Sequence, residues 1–466
     1  MFSRKAVTDV ETWYREAHRK PLVIRGARQV GKTTAVEIAA RNLQVPLYSI
    51  NLERNASLEA QFARCDISAL LLSFSAICGT SVSRNSPGIL LLDEAQVAPS
   101  AYGCLRYFYE DAPHLAVILT GSLLDQVLKN HRGSAPVGRV EYQFMGPVTF
   151  DEFLTVTGHA HLAEMLAAIT LDTLGSLPDE VHARMLEQVR RYVLVGGMPH
   201  AVQIAIDTGF DHNAINKYQT ELIQTYKADF AKYRGAIDGL KLNSFFNGLL
   251  AQVGSQFSHK LAHQIVDGSG GDNRLLNSAI EQFIEARLFY RVLHSNAEHI
   301  PLGAETKIRI SKFLFVDVGA LLAAQNIPIQ SILGVPLEFA HQGVIAEQFV
   351  GQHLLYSSPS YKEPELYYWH PPKNEVQAEV DFLLQQNTAI IPVEVKSAPT
   401  GRLKSLHSYV LKRNAPVAAR IHSGKASWER AHARLSERSQ PFKLLNLPLY
   451  MITSLPRLAA ELLHTL

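Results

Sequence analysis

Apolar and polar positions in the first third of the chain follow two rhythms. Short unbroken apolar runs, such as Pro21-Leu22-Val23-Ile24 and Ile89-Leu90-Leu91-Leu92, alternate with stretches whose apolar residues recur every three to four positions. Unbroken runs bounded by turn residues read as strands buried on both faces, and the longer period reads as helix. A helix over residues 1–20 precedes strands at Leu22–Arg25, Leu47–Asn51, Ile89–Asp93, Leu115–Thr120 and Arg139–Phe144, with helical segments between them. The alternation predicts an α/β fold built on a parallel sheet covered by helices. Ligands of such sheets sit beyond the C-terminal strand ends, where Gly26, Asp93 and Thr120 all fall.

The rhythm changes downstream. Residues 151–237 are mostly helical by pattern, and the turn Gly196-Gly197-Met198-Pro199 closes the helix PDEVHARMLEQVRRYVLV. Residues 238–335 open with LKLNSFFNGLLAQVG and SHKLAHQIV. A Gly-rich break at Gly268–Gly271 and NRLLNSAIEQFIEARLFYRVLH follow. Three short helices and an extended segment in this order suit a winged-helix module. Arg274, Arg287 and Arg291 accompany its third, amphipathic helix as candidate phosphate contacts to DNA or RNA. From 336 to 466 the chain reads as a separate α/β domain. It comprises a helix (HQGVIAEQFVGQHLLYS), strands at LYYWHP, AEVDFLL and AIIPVEVKS, a further helix (LKSLHSYVLKR) and a final strand region, VAARIHS. The expected boundaries are thus 1–150, 151–237, 238–335 and 336–466.

Composition narrows the class. A chain of 466 residues with 47% hydrophobic and 19% charged residues is expected to form two to four domains with real cores. A net charge of +2 announces no nucleic-acid binder, so any basic patch must be local. Cys65, Cys78 and Cys104 show no C-x-x-C pairing, which fits buried thiols in a reducing compartment rather than a disulfide framework or zinc site. The N-terminus is polar without an apolar signal core. The longest apolar run, Ile67 to Cys78, is too short for a bilayer and is interrupted by Ser68, Ser73 and Ser75. A cytoplasmic protein without membrane association is expected.

Residues Gly26-Ala27-Arg28-Gln29-Val30-Gly31-Lys32-Thr33 match the phosphate-cradling pattern G-x-x-x-x-G-K-[ST] between a strand and a helix that takes in Thr34 to Ala40. Gly26 and Gly31 let the backbone turn its N–H groups onto a polyphosphate. Lys32 supplies a cation for the outer phosphates, and the Thr33 hydroxyl can ligate Mg²⁺. The segment Gly26 through Thr34 is therefore the expected ATP-binding loop. Asp93 at the end of the ILLLD strand would hold Mg²⁺ through water, and Glu94 would be the general base. Thr120 or Ser122 would orient the attacking water or sense the γ-phosphate. Arg139 is a candidate for transition-state charge, from its own subunit or a neighbour's, which leaves a homo-oligomer open.

A second constellation lies near the C-terminus. Asp381, Glu394 and Lys396 have the spacing D-x12-E-x-K on two strands joined by the turn Gln385–Thr388. A turn centred on Gln386-Asn387 places Asp381 opposite Pro392 and puts the three side chains on one face. Two carboxylates and a lysine on one face suit a Mg²⁺ site for phosphodiester hydrolysis, and Glu347 on the preceding helix would add a third carboxylate. Glu379 shares the face. The competing reading is a polar strand face with a salt bridge.

Taken in order, RGARQVGKTT, LLLDEAQ, LTGS, Gly138-Arg139, GGMP and EVDFLL…PVEVKS resemble the prokaryotic AAA-superfamily ATPases whose C-terminal half is a domain of unknown function with a restriction-endonuclease-like, PD-(D/E)xK fold. The resemblance implies Lys32 and Thr33 on phosphate and Mg²⁺, Asp93 and Glu94 as metal and base residues, and Glu347, Asp381, Glu394 and Lys396 as a nuclease-like set. Val380 stands where that motif has its proline. Three functions follow: an ATP-driven switch acting with a nucleic acid or a protein partner, an ATP-gated nuclease, and a binding protein on a catalytically silent nuclease-like platform.

Overall fold

The computed structural model describes residues 4–122, 124–125, 136–230, 237–267, 272–328, 332, 342–371, 378–396, 403–435 and 438–465. They fall into two compact units. One is Met1–Pro147 with the segments Glu281–Leu288 and Ser358–Pro364; the other is Val148–Ile280, Phe289–Ser357 and Glu365–Leu466.

In the first unit, α1 (Lys5–Arg15) leads to β1 (Leu22–Arg25), α2 (Lys32–Leu43), β2 (Leu47–Asn51), α3 (Leu58–Arg64), α4 (Ile67–Cys78), β3 (Ile89–Asp93), α5 (Ser100–Asp111), β4 (Ala116–Thr120) and β5 (Glu141–Phe144). The strands pair in parallel in the order β2-β3-β4-β1-β5. Leu90, Leu91 and Leu92 of β3 and Ile118 and Leu119 of β4 are fully buried, which explains unbroken apolar runs in place of alternation. Phe62, Leu70, Phe74, Leu105 and Phe108 of the covering helices pack with Leu90, Leu92 and Val117 in one core. The apolar run at Ile67–Cys78 is a helix capped by Asp66, whose carboxylate accepts the Ala69 N–H at 3.1 Å. No helix among the described residues is long and apolar enough to cross a membrane. Of the three free thiols only Cys104 is buried; Cys65 and Cys78 are half-buried, against expectation. Because β1 is flanked by β4 and β5, the chain leaves it for the far edge of the sheet, opening a crevice beyond its C-terminal end.

The second unit begins with helices: α6 (Phe150–Leu154), α7 (Ala160–Ala168), α8 (Asp179–Val195), α9 (Pro199–Asp207), α10 (His212–Asp229), α11 (Gly239–Leu250), α12 (His259–Asp267) and α13 (Asn273–Glu285), the last crossing into the segment that belongs to the first unit. Then come β6 (Phe289–Ser295), β7 (Thr306–Phe315), α14 (Val318–Ala324), α15 (Gln342–Leu355), β8 (Leu366–Trp369), β9 (Val380–Gln386), β10 (Ala389–Val395), α16 (Lys404–Arg413), β11 (Val417–His422), β12 (Ser427–Leu435), β13 (Arg438–Pro448) and α17 (Leu455–His464). The eight strands form one mixed sheet, β12-β13-β11-β10-β9-β8-β6-β7. Trp369, Val380, Leu383, Tyr409 and Leu444 anchor a core beneath it. Helices α11, α12 and α13 are followed by the hairpin β6–β7 where one extended segment was expected, and this hairpin is continuous with the C-terminal sheet through the parallel pair β6–β8. The break at Gly268–Gly271 lies outside the described residues.

The GGMP turn has a polar explanation. Gly196 ends α8 at φ 74, and the Gly197 N–H donates to the buried carboxylate of Asp317 at 2.6 Å. Asp317 also caps α14 by accepting the Ala320 N–H at 3.0 Å. A Cβ on Gly196 would strike that carboxylate. Glycine is therefore required there by both conformation and space.

Candidate functional site

The phosphate loop connects β1 to α2 as its sequence demands. Gly31 takes φ 90 and Gln29 φ 66, while Ala27 and Val30 are fully buried. A Cβ on Gly26 would meet the Met145 carbonyl, so the first glycine is a close-approach residue. Arg28 sits in the loop with Gln29, and Thr34 lies in the first turn of α2. The buried Lys32 ammonium folds back onto the Gly26 and Ala27 carbonyls at 2.9 Å each. Burial pushes its pKa down to about 8, against the raising influence of Glu94, Asp93 and Asp125.

Asp93 is the hub. It accepts the Thr33 hydroxyl at 2.8 Å, the Thr120 hydroxyl at 2.5 Å and the Glu94 N–H at 2.9 Å. Three donors from α2, β4 and the β3 end thus fix one carboxylate beside the loop. Thr33 and Asp93 lie together as oxygen donors suited to Mg²⁺. Glu94 holds φ 56, a strained conformation for a non-glycine residue. Its carboxylate accepts from the Gln96 amide at 2.6 Å, and the Gln96 carbonyl accepts the Ser122 N–H at 3.3 Å. Ser122 therefore touches the site through its backbone, while Thr120 touches it through its side chain.

Arg139 is a correction to the own-subunit reading. It precedes β5 rather than opening it, at the N-terminal end of the strands, while the loop lies past their C-terminal ends. Its guanidinium pairs with Glu110 at 3.2 Å and stands over Tyr109, so it does not face its own phosphate loop.

Sequence reasoning missed several supports. Arg4, 8% exposed, donates to the Val30 carbonyl at 2.8 Å and the Gly146 carbonyl at 2.8 Å, fastening the loop from before α1. Asp125 pairs with Arg25 and, at 2.5 Å, with Arg287, which reaches Glu363 at 2.5 Å. Arg287 was expected on an amphipathic helix with Arg274 and Arg291. Instead α13 ends at Glu285, Arg287 is buried at φ 58, and Arg291 lies on β6 over Phe313. The three arginines do not form one basic helix face.

The C-terminal constellation also differs in register. Pro392 pairs with Leu383 and Val393 with Phe382, so the turn centres on Asn387-Thr388 and Asp381 is not opposite Pro392. The slip is two residues, which preserves the face. Asp381 accepts the Val395 N–H at 2.7 Å, and Lys396 pairs with Glu394 at 2.5 Å. The residue the sequence reading missed is Lys312 of β7, 3% exposed. Its ammonium contacts Glu379 and lies 3.5 Å from Glu347 and 3.9 Å from Asp381. Burial and the Asp381 charge push Glu347 up to about 8 and Glu394 up to about 7. One Glu394 oxygen is buried without a hydrogen-bond partner. Glu347, Asp381 and Glu394 do not close into a group with all ligand atoms within 4.8 Å. The ammonium already stands among the carboxylates, so the arrangement is a charge-compensated cluster and does not fit a divalent ion as it stands.

Residues 18–154 match the family described as an AAA domain, a span that contains the loop, Asp93-Glu94 and Thr120. Residues 186–331 and 342–448 each match a domain of unknown function, DUF8612 and DUF4143 respectively. Among solved structures, the chain is similar to the Walker-type ATPase of Pyrococcus abyssi at 14% identity, covering 70% of this chain and 96% of that one with a TM-score of 0.44. It is also similar to the Aeropyrum pernix ORC2 protein (13%, 71% and 95%, TM-score 0.35) and to the Thermotoga maritima Holliday junction branch migration motor RuvB (15%, 62% and 90%, TM-score 0.30). No curated protein matches. The AAA-domain match supports an AAA-type P-loop core over residues 18–154.

Proposed function

We propose that the chain is a Mg²⁺-dependent ATPase whose nucleotide state drives a conformational switch acting with a nucleic acid or a protein partner. The carrying observation is the Asp93 hub, one carboxylate shared by Thr33, Thr120 and the Glu94 N–H beside Lys32. Thr33 and Asp93 would hold Mg²⁺, which supplies neutralisation of β- and γ-phosphate charge when ATP is bound. The Lys32 ammonium exchanges two carbonyls for phosphate oxygens. Glu94, held by Gln96, takes the proton of the attacking water, and Thr120 positions that water. Lys32→Ala tests the reading: nucleotide binding at wild-type strength in that variant removes it.

A second reading concerns the nuclease-like set. Lys312 among Glu347, Glu379 and Asp381 favours a catalytically silent platform over an ATP-gated nuclease. Metal-dependent cleavage of duplex DNA, single-stranded DNA or RNA that Asp381→Ala abolishes would restore the nuclease.

A further inference from the structure

We propose that Glu298, His299 and Glu305 form a divalent-cation site at the mouth of a cavity in the second unit, separate from both constellations above. These three side chains, on the β6–β7 connection, are the one group of His, Cys, Asp or Glu among the described residues whose ligand atoms all lie within 4.8 Å of one another. Their other bonds leave donors free. The Glu305 carboxylate accepts the Glu298 N–H through one oxygen at 2.8 Å, and Glu298 pairs with Arg413 through one oxygen at 3.2 Å. Each carboxylate keeps its second oxygen, and His299 adds a ring nitrogen. Arg413 offsets one of the two negative charges, and its position is fixed by a bond to the Asn296 carbonyl at 2.8 Å. A net negative site with a mixed nitrogen and oxygen donor set suits a first-row ion such as Zn²⁺, Co²⁺ or Mn²⁺ better than Mg²⁺.

A second observation points the same way. Glu298 and His299 line a cavity of about 660 Å³ together with Tyr409, Arg413 and His464. That volume is within the range of small-ligand sites. Tyr409 is fully buried, and its hydroxyl has no hydrogen-bond partner. A buried hydroxyl left unpaired is destabilising, so this side of the cavity holds a polar group still in want of a partner. Burial raises the phenol pKa, Arg413 lowers it, and the Glu305 charge raises it further.

The test uses the full chain stripped of metal, without nucleotide, titrated with Co²⁺ and followed by calorimetry and visible d–d absorption. The expected result is one equivalent bound with a d–d spectrum. His299→Ala, at an exposed position, and Glu305→Gln, at a half-buried one, should each weaken it at least about tenfold, while Asp93→Asn and Asp381→Asn leave it intact. Absence of binding, or binding that His299→Ala leaves unchanged, overturns the site. Loss in Asp93→Asn or Asp381→Asn with His299→Ala silent assigns the ion to one of the other constellations and overturns it equally.

Discussion

On the proposed function, Lys32 should make ATP affinity depend on pH in a way that separates this account from a merely electropositive loop. In the nucleotide-free protein its pKa falls from 10.5 to about 8 because the ammonium is buried against two carbonyls. ATP requires the charged form. At pH 7 about nine-tenths of Lys32 is protonated; at pH 9 only about a tenth is, so affinity should fall roughly tenfold between them, with uptake of close to one proton at pH 9. Stability of the nucleotide-free protein moves oppositely. The unfolded chain binds more protons between pH 8 and 10.5, so the Lys32 contribution rises with pH through that window, by about 3 kcal/mol in all. Calorimetric titration with MgATP in buffers of different ionisation enthalpy reads both affinity and proton uptake, and Lys32→Met supplies the baseline. Affinity flat from pH 7 to 9.5, or no proton uptake at pH 9, would refute the reasoning.

Other consequences are equally concrete. Gly196→Ala introduces a methyl against Asp317 at a positive φ, and should lower stability by about 2–4 kcal/mol in chemical denaturation. Lys312→Met strips the counter-charge from Glu379 and Asp381, with Glu347 already largely protonated at pH 7, and should cost about 3–5 kcal/mol in chemical denaturation. Arg4→Ala releases the Val30 and Gly146 carbonyls and should weaken ATP binding about tenfold, read as a raised Kd for a fluorescent nucleotide.

The first unit was legible because its chemistry is local. Buried parallel strands leave unbroken apolar runs, and the loop, Asp93 and Thr120 each follow one directly. What escaped was set by contacts distant in sequence. Arg4 meets a loop 26 residues away and a carbonyl 142 residues away, and no pattern near Arg4 announces either. Lys312 sits in the strand TKIRISKFLF, where its neighbours look like any half-buried strand. Only the sheet order, β9-β8-β6-β7, with α15 packed on β7, brings it to the acidic side chains. The strands β12 and β13 went unread because β12 is mostly exposed and β13 contains Pro441. That proline is tolerated because pairing of β13 with β11 begins only at Lys443. The Asn387-Thr388 turn was misplaced by one residue, since QQNT offers several centres; Asn387 at φ 53 decides it.

The most direct measurement is steady-state ATP turnover with Mg²⁺ by the wild type and Glu94→Gln, alone and with duplex DNA, single-stranded DNA or RNA. The account predicts turnover in the wild type, retained nucleotide binding in Glu94→Gln and a loss of kcat in that variant of about 10²-fold or more. Stimulation by one nucleic acid would favour that partner, and indifference to all of them would point to a protein partner. Turnover in Glu94→Gln equal to the wild type would contradict the account.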